Sequence, residues 1–213
     1  MMQKGLFIVF DGIDGCGKST QVWKTAKYLS DKSKYNHIVV TREPYKNTEI
    51  RKILFEEEDP YTQARKLAQL YVEKDRMPHV DELIKPSLEK GFHVVSDRYS
   101  TATFAYQQAQ GIAFDELIKM NYGIPIPDIT FLVNVPVKTA VERMKNDRTR
   151  KAEQKFEKNI EFLEKVRQNY IDLTNNLPEY NFVIIDGTKS IDEIFELQIK
   201  PKLDELWNNE KNH

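Results

Sequence analysis

The sequence predicts an α/β fold: a doubly wound sheet of parallel strands with helices on both faces. Three observations carry that expectation. Five short runs rich in β-favouring residues, 6–10, 38–41, 93–96, 129–135 and 182–185, alternate with longer stretches of helical pattern. Several of the runs are apolar nearly throughout, as strands covered on both faces are, and helices between strands impose parallel crossovers. The first run also leads directly into Gly12-Ile13-Asp14-Gly15-Cys16-Gly17-Lys18-Ser19-Thr20, which fits the phosphate-binding pattern G-x-x-x-x-G-K-[ST] in its strand–loop–helix setting.

Taken in order, residues 6–10 read Leu-Phe-Ile-Val-Phe and form the first strand. In the loop behind it, glycines let backbone N–H groups converge on an anion, because no Cβ stands in the way. A helix from Gln21 to about Ser30 adds unpaired donors and positive potential at its N-terminus. Lys18 is placed for the outer phosphates and the Ser19 hydroxyl for Mg²⁺. Cys16 is a small residue that fits the loop or, in a sharper reading, a redox sensor. The second strand runs into Thr41-Arg42-Glu43-Pro44. Asp59-Pro60 reads as a cap and first-turn proline, opening a helix that continues through Arg76. Pro78 is expected to break or kink the chain before a helix at 80–90. The third strand ends in Asp97-Arg98-Tyr99, and helices follow at 101–110 and 114–122. Gly123, Pro125 and Pro127 turn the chain into the fourth strand. Residues 138–146 are helical, and 160–174 carries Ile160, Leu163, Val166, Tyr170 and Leu173 at helical spacing. A polar, basic stretch from Asp147 to Gln154 separates the two. A helix at 191–207 closes a single domain, 1–207, with a frayed tail at 208–213.

Composition narrows the class. The 213 residues carry a formal charge of −1, which argues against a nucleic-acid polymer as partner. No apolar run approaches the roughly 20 residues that span a bilayer. Met1-Met2-Gln3-Lys4 enters a strand at once, leaving no room for a signal peptide. One cysteine permits no internal disulfide. Together these point to a cytoplasmic protein.

Three constellations join the phosphate loop. Asp97, at the carboxyl edge of the sheet where open α/β folds bind ligands, is placed to hold Mg²⁺ opposite Ser19; a strand-terminal Asp also serves as a turn or helix cap. Arg42 and Arg98 leave neighbouring strand ends, where two guanidinium forks can clamp a second phosphate apart from the one at Lys18. Glu43 is placed to orient Arg42 or to join the metal shell. Arg143, Arg148, Arg150 and Lys151 form a basic cluster, read either as a solvated loop or as a lid, at about 147–155, that brings a cation onto a transferring phosphoryl group.

These residues resemble the thymidylate kinase family over nearly the whole chain. The likeness rests on residues 10–20, on Thr41-Arg42-Glu43-Pro44, on Asp75-Arg76 with His79 and Ile84-Lys85-Pro86, and on Asp97-Arg98-Tyr99. It continues in Ala105-Tyr106-Gln107, in Pro127-Asp128-Ile129-Thr130-Phe131-Leu132 and in Asp186-Gly187-Thr188. The resemblance implies Mg²⁺-dependent phosphoryl transfer from ATP to dTMP, a homodimer, and a three-layer α/β/α fold of the nucleoside monophosphate kinase type with strand order 2-3-1-4-5. Position by position it implies that Lys18 and the loop from Gly12 to Thr20 hold ATP phosphates. Asp14 approaches the sugar and the acceptor site, and Arg42 and Arg98 hold the monophosphate. Arg76 reads the thymine edge, Thr103 meets the base, Tyr106 crowds the sugar 2′ position, and Gln107 lies beside them. Arg143 and the Thr188-Lys189 loop flank adenine. Gly15 stands where some members carry the catalytic arginine, so the lid must supply it, through Arg148 or else Arg150.

The chain departs from the family pattern at several positions. Val72 stands where a phenylalanine usually stacks on the base. Tyr71 is adjacent, but one α-helical step turns a side chain by about 100°, so it is not a simple substitute. Tyr45-Lys46 replaces a usual Gly-Gly, and Tyr45 is placed to fill part of the acceptor site. Ala102 stands for a common serine and Asn134 for a frequent aspartate. The altered stacking position keeps a kinase for another nucleoside or monophosphate, such as dUMP, as an alternative. A nucleotide-binding regulatory protein of the same loop class is a second one, although a guanine-reading N-K-x-D segment is missing.

Overall fold

A computed structural model describes residues 4–147 and 155–211. Five strands form one parallel sheet: β1 (Phe7–Asp11), β2 (Ile38–Arg42), β3 (His93–Asp97), β4 (Ile129–Asn134) and β5 (Phe182–Asp186). Their order is β2-β3-β1-β4-β5, as the resemblance implied. β1 and β3, in the middle, are buried at every residue, and β1 reads as an apolar run up to Asp11 while β3 buries His93, Ser96 and Asp97 around its two valines. The register sets Phe10 beside Asp97 and Asp97 beside Arg42, so the polar ends of β1, β2 and β3 meet at one edge.

Between the strands run α1 (Lys18–Lys32), α2 (Thr48–Glu56), a long α3 over residues 64–89, α4 (Ser100–Ala109), α5 (Phe114–Met120), α6 (Val137–Asn146) and α7 (Ile160–Asn176), and α8 over residues 191–211 follows β5. Asn47 caps α2 and Asn159 caps α7, each accepting from the backbone N–H three residues on. The last helix continues to Lys211, so the segment expected to fray from 208 is helical as far as that residue.

Pro78 does not break α3. The helix widens instead over Leu70–Arg76 and again over Val80–Ile84, where Met77 N–H donates to Val72 O and Lys85 N–H to Val80 O. Pro78 and Pro86 come directly after those donors. A proline ring clashes with the carbonyl four residues back, and an added residue in the turn moves that carbonyl aside. The same device recurs in α8, where Ile194–Ile199 is wide and Pro201 follows. Asp59-Pro60 does not open α3; it forms a turn ahead of it, and the helix begins at Ala64.

Candidate active site

The polar ends of β1, β2 and β3 open onto a cavity of about 650 Å³. One wall is the phosphate loop. Gly12 has φ +138°, and a Cβ there would meet Val133 O at 2.5 Å, so only glycine fits. Lys18 is buried, its Nζ donating to Gly12 O at 3.0 Å and Ile13 O at 2.9 Å. The ammonium is thereby held against the phosphate loop, several of whose residues line the cavity. Ser19 Oγ donates to Asp97 Oδ2 at 2.5 Å. Arg143, on α6, ties the loop to the turn after β5, donating to Gly187 O at 2.9 Å and Cys16 O at 3.4 Å. Asp186 accepts from the Thr188 backbone and hydroxyl, which shapes that turn.

The other wall is cationic and aromatic. Arg98 sits at φ +74°, a left-handed conformation uncommon for any residue with a Cβ. That turn aims its guanidinium back at Asp14, Nη2 to Oδ1 at 2.7 Å. Burial works against the Arg98 charge, but Asp14 outweighs it and the pKa rises. Tyr106 donates to the other Asp14 oxygen at 3.3 Å, and its hydroxyl is pushed up by burial and then by the Asp14 charge, so it stays a donor. Behind them Asp11, fully buried, accepts from Tyr170 at 2.7 Å and from Thr101; burial raises its carboxyl pKa. Arg42 is exposed on the cavity wall, and Arg51 of α2 lines it as well. Lined this way, the cavity can take a phosphate chain at one end and a second anion at the other.

A family model described as thymidylate kinase matches residues 10–197. A thymidylate kinase of Thermosipho melanesiensis is 37% identical over 96% of this chain and 100% of its own length. A probable thymidylate kinase of Thermococcus kodakarensis is 38% identical over 84% of this chain and 88% of its own. A thymidylate kinase of Thermosipho africanus is 38% identical over 89% and 94%. The chain belongs to the thymidylate kinase family.

Against the thymidylate kinase expectations, the structure gathers Asp14, Gly15, Gly17, Lys18, Ser19 and Thr20 on the cavity from the phosphate loop. Arg42, Asp97, Arg98, Thr103, Tyr106, Gln107 and Arg143 join them from the other elements. Gly12, Ile13 and Cys16 support the loop from behind, and Cys16 is buried. Thr188 and Lys189 are exposed on the turn that Arg143 grips. Arg148 and Arg150 lie outside the described residues, as does the 147–155 segment apart from its end residues.

Three expected acceptor contacts are placed elsewhere. Val72 is buried away from the cavity, and Tyr71 lines it instead. The wide turn is the reason. A turn closed by a bond five residues back takes more residues per revolution than an α-helical turn, so the α-helical step argument does not apply across Leu70–Arg76. Burial raises the Tyr71 hydroxyl pKa, keeping it neutral. Tyr45 stacks on His79 with ring centroids 4.3 Å apart and does not line the cavity. Arg76 is fully buried one layer back. It donates to Glu43, to Asn121 Oδ1 at 2.7 Å and to Thr103 Oγ1 at 2.9 Å, and Thr103 faces the cavity.

Sequence reasoning missed other contributors. Glu43 does not orient Arg42; it pairs with Arg76 and accepts from the His79 side. Asp75 accepts from the backbone N–H groups of Tyr45, Lys46 and Asn47 at 2.6–2.9 Å, pinning the loop after β2 to α3. Arg51 and Phe156 line the cavity with no motif to announce them. Phe156 follows the end of the basic stretch, whereas the helix that carries Arg51 was itself not anticipated.

Proposed function

We propose that this chain transfers the γ-phosphoryl group of ATP to dTMP, forming dTDP and ADP by direct in-line displacement. A phosphate oxygen of the acceptor attacks the γ-phosphorus as the bond to the β-phosphate bridging oxygen breaks. That oxygen is ionised at neutral pH, so no general base is needed. The observation that carries the reading is the pairing of a P-loop wall with a wall of Arg42, Arg51 and Arg98 in one cavity. The loop amides and Lys18 bind the donor phosphates, and the arginines hold the acceptor phosphate in line. On phosphate binding, Lys18 exchanges two carbonyls for phosphate oxygens. Ser19 and Asp97, already in contact, suit Mg²⁺, which takes few protein ligands and keeps water and phosphate oxygens for the rest. When bound, the ion neutralises charge on the donor phosphates. Arg148, or else Arg150, is proposed to supply the cation to the moving group from the lid, and a homodimer is the proposed assembly.

Tyr71 on the cavity wall supports thymine as the base, since it restores the aromatic face that Val72 lacks. Incubation with ATP, Mg²⁺ and a panel of nucleosides and monophosphates tests the proposal. dTMP should gain phosphate fastest; transfer confined to another acceptor, or to none, would overturn it.

A further inference from the structure

Five buried side-chain polar atoms have no hydrogen-bond partner among the described residues: those of Gln21, Thr25, Tyr99, Gln107 and Thr130. Gln107 alone among them lines the active-site cavity. The uncommitted atom is its carbonyl Oε1. A buried acceptor left without a donor is costly, so its orientation needs a cause.

The cause is a chain of amides with a fixed direction. Pro60 O can only accept. Gln110, buried at the end of α4, therefore turns its Nε2 toward Pro60, and the two are hydrogen-bonded. Its Oε1 then accepts from Gln107 Nε2 at 3.0 Å. Gln107 is left with its oxygen uncommitted. Turned over, the Gln107 amide would set two carbonyl oxygens face to face and forfeit that bond. The polarity of the Gln107 amide is thus dictated from Pro60, outside the cavity.

We propose that Gln110 is a positioning residue that holds Gln107 as a hydrogen-bond acceptor for the base of the acceptor nucleotide. The site then selects a base with a ring N–H, as thymine and uracil have, over one with a ring-nitrogen acceptor, as cytosine has. The proposal rests on the reading of this cavity as the monophosphate site. It explains base selectivity by a residue that touches no substrate.

Gln110→Met keeps the side-chain length and removes both polar ends. The test compares kcat/KM for dTMP and dCMP in the wild type and in this variant, with the KM for ATP as reference. The expected result is a fall of at least about tenfold in the dTMP:dCMP ratio, because the freed Gln107 amide can present either end. The KM for ATP should hold. A variant that loses activity on both monophosphates in proportion, ratio intact, has lost only structure and overturns the proposal. Should Gln110→Met fail to fold, binding of N3-methyl-dTMP to the wild type decides. Weakening of at least about tenfold relative to dTMP is expected, and equal binding overturns the proposal. A wild type that uses neither monophosphate overturns the function itself. That outcome is distinct from a dTMP kinase whose selectivity ignores Gln110.

Discussion

The Glu43 carboxylate grips the Arg76 guanidinium from one side, Nε lying 3.1 and 3.0 Å from its two oxygens, with both side chains sealed from solvent. Burial alone would raise the Glu43 pKa, but Arg76 outweighs it and the carboxyl is held below its ordinary range. A carboxylate with a depressed folded pKa contributes stability above its unfolded value and loses it as pH falls through the folded one. The pair should therefore support the fold above a pH of about 4.3 and fade below it. Glu43→Gln leaves a buried guanidinium without its counter-charge and should cost about 3–5 kcal/mol at neutral pH. Urea midpoints across a pH series check both points. The gap between wild type and variant should narrow as acid protonates Glu43; a constant gap would count against the assignment.

Lys18 offers the sharpest separation of chemistry from stability. Its Nζ bridges two loop carbonyls, each bond contributing about 1 kcal/mol. Lys18→Met should keep the fold, seen by circular dichroism, with a modest loss of stability. Turnover should fall by orders of magnitude, because the donor phosphates lose their fixed cation. Near-wild-type turnover would remove Lys18 from the proposed mechanism.

The sheet was legible because β1 and β4 are buried so completely that few polar residues interrupt them, and the phosphate loop because its glycines answer a local backbone demand. The acceptor wall was legible only in part. Arg42 and Arg98 stand at strand ends, where the topology announces them. Arg51 sits in the first turn of α2, where one more arginine looks like solvated surface. Tyr71 and Val72 were ranked by α-helical geometry, which does not hold in the wide turn that ends two residues before Pro78. Gln107 read only as a neighbour of the base-contacting residues and Gln110 only as the end of a helix; the Pro60 carbonyl, 50 positions from Gln110, gives the pair its direction.

The placement of Tyr71, and not Val72, on the cavity wall is directly measurable. Tyr71→Ala removes the aromatic face from the cavity and should raise the KM for dTMP roughly tenfold, as loss of a stacking ring does, with little change in the KM for ATP. Tyr71→Phe should retain near-normal KM, since the ring and not the hydroxyl does the work. Val72→Ala should lower stability by about 1–2.5 kcal/mol through lost burial and leave the dTMP KM alone. The opposite pattern, with Val72 governing KM, would mean that α3 is an unwidened helix in solution.

Arg51 completes the anion wall. It lies on α2 one position after Ile50, whose N–H is held by Asn47. Asn47 in turn is fixed through its own N–H to Asp75. A guanidinium carried on so anchored a turn can meet a phosphate without first being ordered. Arg51→Ala should therefore raise the dTMP KM by about tenfold or more, a charged hydrogen bond being worth about 1.5–3 kcal/mol, while the KM for ATP stays within about twofold. Asp75→Asn weakens the same turn without touching the cavity. It should raise the dTMP KM less than Arg51→Ala does, and the double variant should fall short of the sum, because both changes act through one side chain. Full additivity in that cycle would show that Asp75 and Arg51 serve the site independently.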